Sequence, residues 1–379
     1  MRSFPVLLPI ILVSAALGCG EDAHQVTGPE APPTLVAAAT TTALIFYQLS
    51  AGSVQTCSVT TDQRAYCWGV NTGDGTNVER TTPVAVAPTL RFRNISSGLY
   101  TSCGVTTDFV AYCWGGNNYG AVGDGTTKQR WAPVRVAGGH RFRQIETAGY
   151  HTCALTYPDN RAYCWGLNFD GQLGDGTRTN HLTPVAVARG LVFQQVTAGF
   201  KHTCGVTTAS FLFCWGLNKY GQIGDSLTLY RRFKPSLVSP ARRFRQVDAG
   251  AYHTCAVTTA NVAFCWGYGR EGQIGNGTQY LSYWPRAVAG GLAFTRVTAG
   301  WSHSCGETKS KLAYCWGSNY YGQLGSAGNL ALTPAAVEGG FTFAQVTAGS
   351  QHTCGKTGAG VAYCWGDNTY GQLGGLIRP

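Results

Sequence analysis

The chain has 379 residues, enough for two or three ordinary domains, but only 12% are charged, 12% are aromatic and 51 are glycine. That mixture argues against a disordered or helix-rich protein and suits a tightly turned β-protein. The formal net charge of +10 leaves anionic polymers and nucleic acid open as partners.

The chain starts Met1-Arg2-Ser3 and runs apolar over residues 4–17, ending Ala16-Leu17-Gly18-Cys19. A positive end, an apolar run of about 14 residues and small residues before a cut describe a secretory signal over 1–18, too short for a transmembrane span. The last four residues resemble the lipobox of bacterial lipoproteins, which implies that Cys19 becomes the lipidated first residue of the mature protein. The plainer alternative is ordinary cleavage with Cys19 incidental. Fifteen cysteines are present; fourteen fall in pairs along the chain and Cys19 is the odd one. Gly20 and Glu21 follow, without aspartate at the second mature position, which by the same analogy points to the outer membrane. Residues 19–32 are polar and aperiodic, a tether, and no later stretch is apolar enough to span a bilayer. The clusters Arg231-Arg232-Lys234 and Arg242-Arg243-Arg245 read as a solvated basic face or a contact for anionic envelope polymers. Nucleic acid is not expected for an exported protein.

From residue 33 to 379 one paragraph is written seven times. Its Cys-Trp-Gly triplet places tryptophan at Trp68, Trp114, Trp165, Trp215, Trp266, Trp316 and Trp365, at gaps of 46–51 residues. That is the period of a propeller blade, and such repeats bury a core only when stacked, so one domain is expected. A copy runs Phe-x-x-Val, Ala-Gly, a strand to the first Cys, a polar loop, Ala-Tyr-Cys-Trp-Gly, a Gly-rich turn, a variable loop and Pro-x-x-Val, or near relatives of these: about four strands. The last copy lacks its Pro-x-x-Val. The first is preceded by an unmatched Pro33-Thr34-Leu35-Val36, which is expected to complete the last blade and close the ring. A closed ring of this kind is expected to be a monomer.

The paired cysteines are Cys57 with Cys67, Cys103 with Cys113, Cys153 with Cys164, Cys204 with Cys214, Cys255 with Cys265, Cys305 with Cys315, and Cys354 with Cys364. Six separations are ten and one is eleven. Opposed residues of a hairpin have a constant index sum, so ten needs an odd loop and eleven an even one. The exceptional copy supplies Tyr157-Pro158-Asp159-Asn160, good four-residue turn chemistry. One disulfide per blade is expected, since the strands bring the pairs within reach and export supplies an oxidising compartment. Free thiols or zinc are the alternatives; two ligands per blade are too few for zinc, and without Cys-x-x-Cys a redox role is not expected.

The segment from Val196 to Val206 (Val-Thr-Ala-Gly-Phe-Lys-His-Thr-Cys-Gly-Val), followed by Cys214 to Asp225 (Cys-Trp-Gly-Leu-Asn-Lys-Tyr-Gly-Gln-Ile-Gly-Asp), resembles the repeat of the regulator of chromosome condensation family. The resemblance covers about residues 33–374 and implies an all-β, seven-bladed propeller. Functions across that family diverge: nucleotide exchange on a small GTPase, ultraviolet-B reception through clustered tryptophans, and β-lactamase inhibition by a secreted bacterial relative. Fold alone does not choose among them. Only Trp301 occupies the post-glycine position that a photoreceptor would fill with tryptophan. A signal peptide points away from a cytosolic GTPase, and no exchange residues map onto this chain.

Five histidines, His151, His202, His253, His303 and His352, share one repeat position, with Gln55 and Thr101 in the other two copies. They are read as structural hydrogen-bonders in preference to a metal-binding ring. The seven Cys-adjacent tryptophans are read as inter-blade packing, opposite the Cys side chain. The Gly-Asp-Gly-Thr turns lack the Gly-Lys-Ser/Thr ending of a phosphate loop, and Asp124, Asp175 and Asp225 supply too few carboxylates for calcium. No catalytic constellation emerges, so neither an enzyme nor a cofactor or metal is expected. The variable loops carry Trp131, Tyr230, Arg231, Tyr280, Tyr283 and Trp284, the residue types of interface hot spots. The reading is an envelope-anchored propeller that binds another protein through loops on one face. The alternatives are a guanine nucleotide exchange factor and a carbohydrate-binding propeller.

Overall fold

The computed structural model describes residues 36–37, 44–227 and 230–375. The signal segment, Cys19, the tether and residues 33–35 lie outside them. Among the described residues seven antiparallel sheets of four strands form the domain. The fourth blade shows the pattern, from the centre outward: Phe193–Ala198, His202–Thr207, Leu212–Leu217 and Arg231–Leu237. The seven innermost strands neighbour one another in a closed circle around a channel. The sole helical turn among the described residues is the short 3-10 turn Ala188–Gly190, and no described helix is long and apolar enough to cross a membrane.

The seventh blade is composite, as expected: Val36–Ala37 pairs antiparallel with Ala362–Gly366 as its outermost strand. The register differs from a simple match of Pro33 to Pro83. In the other blades the residue after that proline faces the second Cys, as Val84 faces Cys67. In the seventh it is Val36 that faces Cys364, two residues later than Thr34. The shift takes up two of the four extra residues between Pro33 and Phe46, and a shift of two keeps each residue on its own face.

Phe193 and Val196 are three apart, which in a regular strand puts them on opposite faces. A one-residue bulge between Phe193 and Gln195 restores them to the same side, where both are buried, and every innermost strand repeats it. The prolines sit in outermost strands, where a missing N–H costs no ladder bond.

Each Cys pair lies directly opposite in register on the second and third strands of its blade. The disulfides are the seven expected. Cys57 is bonded to Cys67, Cys103 to Cys113, Cys153 to Cys164 and Cys204 to Cys214. Cys255 is bonded to Cys265, Cys305 to Cys315 and Cys354 to Cys364. Their Cα atoms are 4.0–4.1 Å apart, and no bond crosses between blades. The disulfide of one blade packs against the tryptophan of the next: Cys103 and Cys113 with Trp165, Cys204 and Cys214 with Trp266, Cys255 and Cys265 with Trp316. Cys305 and Cys315 lie with Trp365 in the same way, and around the closure Cys354 and Cys364 lie with Trp68. Cys and Trp alternate along their strand, so one faces the following blade and the other the preceding one. All fourteen sulfurs belong to residues with no exposure. Millimolar dithiothreitol is therefore expected to leave the propeller disulfides intact in the native protein and to reduce them once denaturant is added. Thiol release in native buffer would mean that the blades open far more readily than this packing implies.

Two sets of connections define two faces. On the upper face the link between first and second strands meets the link after the third, as in the bonds Val70 N–H to Val54 O and Leu167 N–H to Tyr150 O. On the lower face the hairpin turns meet the inter-blade connections, as in Thr107 N–H to Arg91 O and Phe193 N–H to Asn160 O.

Candidate functional site: the upper face

A layer of buried histidines supports this face. His151, His202, His253, His303 and His352 are wholly buried, and each Nε2 lies 2.8–2.9 Å from a Thr or Ser hydroxyl of the following blade, Thr203, Thr254, Ser304, Thr353 and Thr56. Those hydroxyls spend their hydrogen elsewhere: Thr254 donates to Gln222 O at 2.8 Å, and its counterparts do the same. The imidazole must then donate through Nε2, leaving Nδ1 as an unpaired acceptor in all five rings. Burial without a partner for a second proton pushes the pKa down to about 3 in four rings and about 4 in His352. The histidines are structural, as expected, but they join successive blades and do not tie turns.

The channel wall is polar and largely self-satisfied. Gln48, Gln144, Gln195, Gln246 and Gln345 each clasp both backbone groups of one residue on the neighbouring innermost strand, and Asn94 accepts from Ile145. Arg296 occupies the seventh such position and is exposed in the channel, while Glu307 accepts from Val346 N–H in its place. Burial pushes Glu146 up to about 7 against a bond from Gln144, with Asp248 raising it further and Arg296 lowering it.

Above this wall the links between first and second strands nest closely. A Cβ on Gly199 would sit 2.5 Å from Gly250 O of the next blade, which explains glycine there. One of the two residues after these glycines is aromatic in five blades, and these rings meet at the channel mouth. Tyr100, Tyr150, Phe200 and Trp301 form a series with ring centres 6.4, 5.8 and 5.1 Å apart. Tyr252 touches both Phe200 and Trp301, at 5.6 and 6.2 Å. Rings from the neighbouring turns extend the series: Tyr119 against Tyr150 at 5.2 Å, then Tyr220 between Tyr252 and Tyr268 at 5.3 and 5.2 Å. The contact between Phe200 of the fourth blade and Trp301 of the sixth crosses the mouth. Burial, then neighbouring tyrosines, hold the Tyr150 and Tyr252 hydroxyls protonated by raising their pKa, with Asp170 adding to the effect at Tyr252.

This belt reaches the rim. Buried Asp170 accepts from Arg231 Nε at 2.6 Å and lies 3.6 Å from Lys201 Nζ, beside Phe200. The Arg231 guanidinium rests over Tyr230 and Phe169, 4.5 and 5.3 Å from the ring centres. Tyr283 packs on Gly221 and donates to Lys219 O, next to Tyr220. Tyr230, Arg231 and Tyr283 therefore adjoin the belt through blades four and five, with Arg231 and Tyr283 also serving local packing. Tyr280 is 77% exposed and Trp284 45%, the latter under Arg286. Trp131, also exposed, stands apart on the second blade, where its carbonyl accepts from Gly75.

The Gly-Asp-Gly-Thr turns are structural. At Asp124 burial opposes ionisation, but bonds from Thr126 and Arg130 outweigh it and hold the carboxyl below its usual range. No group of three or more His, Cys, Asp or Glu among the described residues is placed to hold a metal. The belt was missed in sequence because only tryptophan was sought after the glycines, while tyrosine and phenylalanine carry it.

Comparison with known proteins agrees with this architecture. The structure superposes on human WBSCR16 with a TM-score of 0.73, 19% identity, and coverage of 86% of this chain and 88% of that one. Yeast RCC1 (Prp20), solved bound to Kap60, gives a TM-score of 0.73 at 18% identity over 86% of this chain and 82% of that one. In sequence, the ultraviolet-B receptor UVR8 of Arabidopsis thaliana is 29% identical over 118 residues, 30% of this chain and 27% of the receptor, so the match spans about a quarter of that relative. The profile of the RCC1-like domain matches residues 14–293 and 144–377, and the chain belongs to that family.

Proposed function

We propose that this protein is a non-enzymatic binding propeller that works outside the cytoplasm, held at the outer membrane through Cys19, and that its upper face docks another protein. The observation that carries this reading is the continuous aromatic belt over the channel mouth, joined through Asp170 to the Tyr230–Arg231 rim. Rigid aromatic rings flanked by arginine and lysine are what interface hot spots are made of. Seven buried disulfides support an oxidising compartment. A family relative is a binder: yeast RCC1 (Prp20) was solved bound to Kap60 and was characterised for binding to Gsp1p and histones.

The test immobilises the mature protein and challenges it with envelope and secreted protein fractions. One defined protein is expected on the wild type. Its retention should fall at least about tenfold with Trp301→Ala combined with Tyr230→Ala, the size of effect a hot-spot pair carries. It should stay unchanged when the lower face is altered at Arg242. Equal retention by the upper-face variant removes the proposal.

A further inference from the structure

The lower face carries a surplus of positive charge that approaches the net charge of the whole chain. Over its hairpin turns, its inter-blade connections and the first two residues of each innermost strand, twelve Arg and Lys stand against four acids, Asp62, Asp108, Asp159 and Glu338. That surplus of eight compares with a formal +10 for the whole chain. The two faces treat their cations differently. On the upper face Asp74, Asp124, Asp170 and Asp225 each hold an arginine nitrogen at 2.5–2.6 Å. On the lower face the one ion pair among the described residues is Arg64 with Asp62.

Four lower-face arginines lie over aromatic rings, Arg93, Arg141, Arg242 and Arg243, while Arg143 and Arg245 donate to backbone carbonyls of the next innermost strand. Arg93 and Arg141 sit 4.6 and 5.1 Å from the centre of Phe109, which stacks on Tyr157 at 3.9 Å. Arg243 lies 3.6 Å from the centre of Phe211. Burial first, and the nearby charge of Arg93 second, lower the pKa of Arg143. The tips of the face also carry partly exposed apolar side chains: Val192, Val262, Leu312 and Val361 are each 39–43% exposed.

Cations together with partly exposed apolar tips match the lipid–water interface. Guanidinium groups pair with phosphate there, and apolar tips enter the boundary between headgroups and acyl chains. A soluble polyanion would use the cations and leave the tips in water. We propose that the lower face docks on an anionic phospholipid surface, which turns the upper face away from the membrane toward its protein partner.

The experiment uses protein carrying Cys19→Ser, so that no acyl chain contributes, sedimented with phosphatidylcholine vesicles with and without about one third phosphatidylglycerol. Binding is expected on the anionic vesicles alone and should weaken at least about tenfold from low to high salt. Arg141→Glu with Arg242→Glu and Arg243→Glu should lose at least about tenfold. Val262→Asp with Leu312→Asp should lose a similar factor while every arginine remains. Unchanged circular dichroism and melting establish that each variant is folded, and Trp301→Ala should bind vesicles as the wild type does. The proposal is overturned if neutral and anionic vesicles bind alike, or if the variant at Val262 and Leu312 binds like the wild type. It is also overturned if heparin or single-stranded DNA is bound while vesicles are not.

Discussion

Acidification from pH 7 to 4 is expected to unfold the propeller, with a midpoint between about pH 4 and 5 and an uptake approaching five protons. The five inter-blade histidines drive this. Their folded pKa is depressed to about 3 or 4 from an ordinary 6.5, so below pH 6.5 the unfolded chain binds protons that the native state refuses. Stability then rises with pH through that window and falls as pH drops. At pH 5 each ring costs about 2 kcal/mol, and five cost about 10, comparable to the whole stability of an ordinary domain. Glu146 works in the opposite sense. Its folded pKa of about 7 means that stability declines as pH rises from 4.5 to 7, by at most about 3 kcal/mol. The histidines outweigh it at every pH, so stability should keep rising with pH and level off only above about pH 7. Urea titrations across pH would show the slope. His202→Gln, which copies the natural Gln55, should move the acid midpoint downward. Histidine protons that titrate near 6.5 in native protein would refute the scheme.

The repeat was legible because seven copies reveal which positions vary together, and each Cys-Trp-Gly carries its own staple and wedge. The histidine role was also legible, but not its partner: His202 bonds Thr254, 52 residues on, which becomes adjacent only when blades stack. Closure by an N-terminal strand could be read from the unmatched Val36, whereas its register could not. Proline marks a strand without fixing which of its residues faces Cys364, and hydrogen bonding decided that. The aromatic belt was the least legible feature. Phe200 and Trp301 share one repeat position, Tyr100 and Tyr252 the next, and Tyr119 and Tyr220 a third, yet none of these spacings reveals that the ring draws all the sets to a single mouth. The charge contrast between faces was equally hidden, because basic residues of the lower face are scattered from Arg64 to Lys311 along the chain.

Removing one tryptophan wedge should be the most damaging single substitution in the core. Trp215 fills the seam between the third and fourth blades, against Cys153, Cys164 and Phe193, and its indole donates to Gln172 O at 3.0 Å. Trp215→Ala is expected to cost about 3–5 kcal/mol through the cavity and the lost bond, lowering the melting midpoint by roughly 5–10 °C. Trp114 is the informative contrast. The turn before it runs from Gly69 directly through Val70, Asn71, Thr72 and Gly73 to Asp74, four residues shorter than the stretch from Gly216 to Asp225. The shortened turn supplies no carbonyl, and Trp114 Nε1 is left unpaired in a buried site. The same seam has Gln55 and Ser102, joined at 3.5 Å, where five others have a histidine bonded to a Thr or Ser hydroxyl. Trp215→Phe should therefore cost about 1 kcal/mol more than Trp114→Phe, the net worth of one hydrogen bond. A propeller opens at its weakest interface, so amides of the first two blades should exchange before those of the fourth and fifth. Equal losses for the two phenylalanine variants, with uniform exchange, would place the strength of the seams in apolar packing alone.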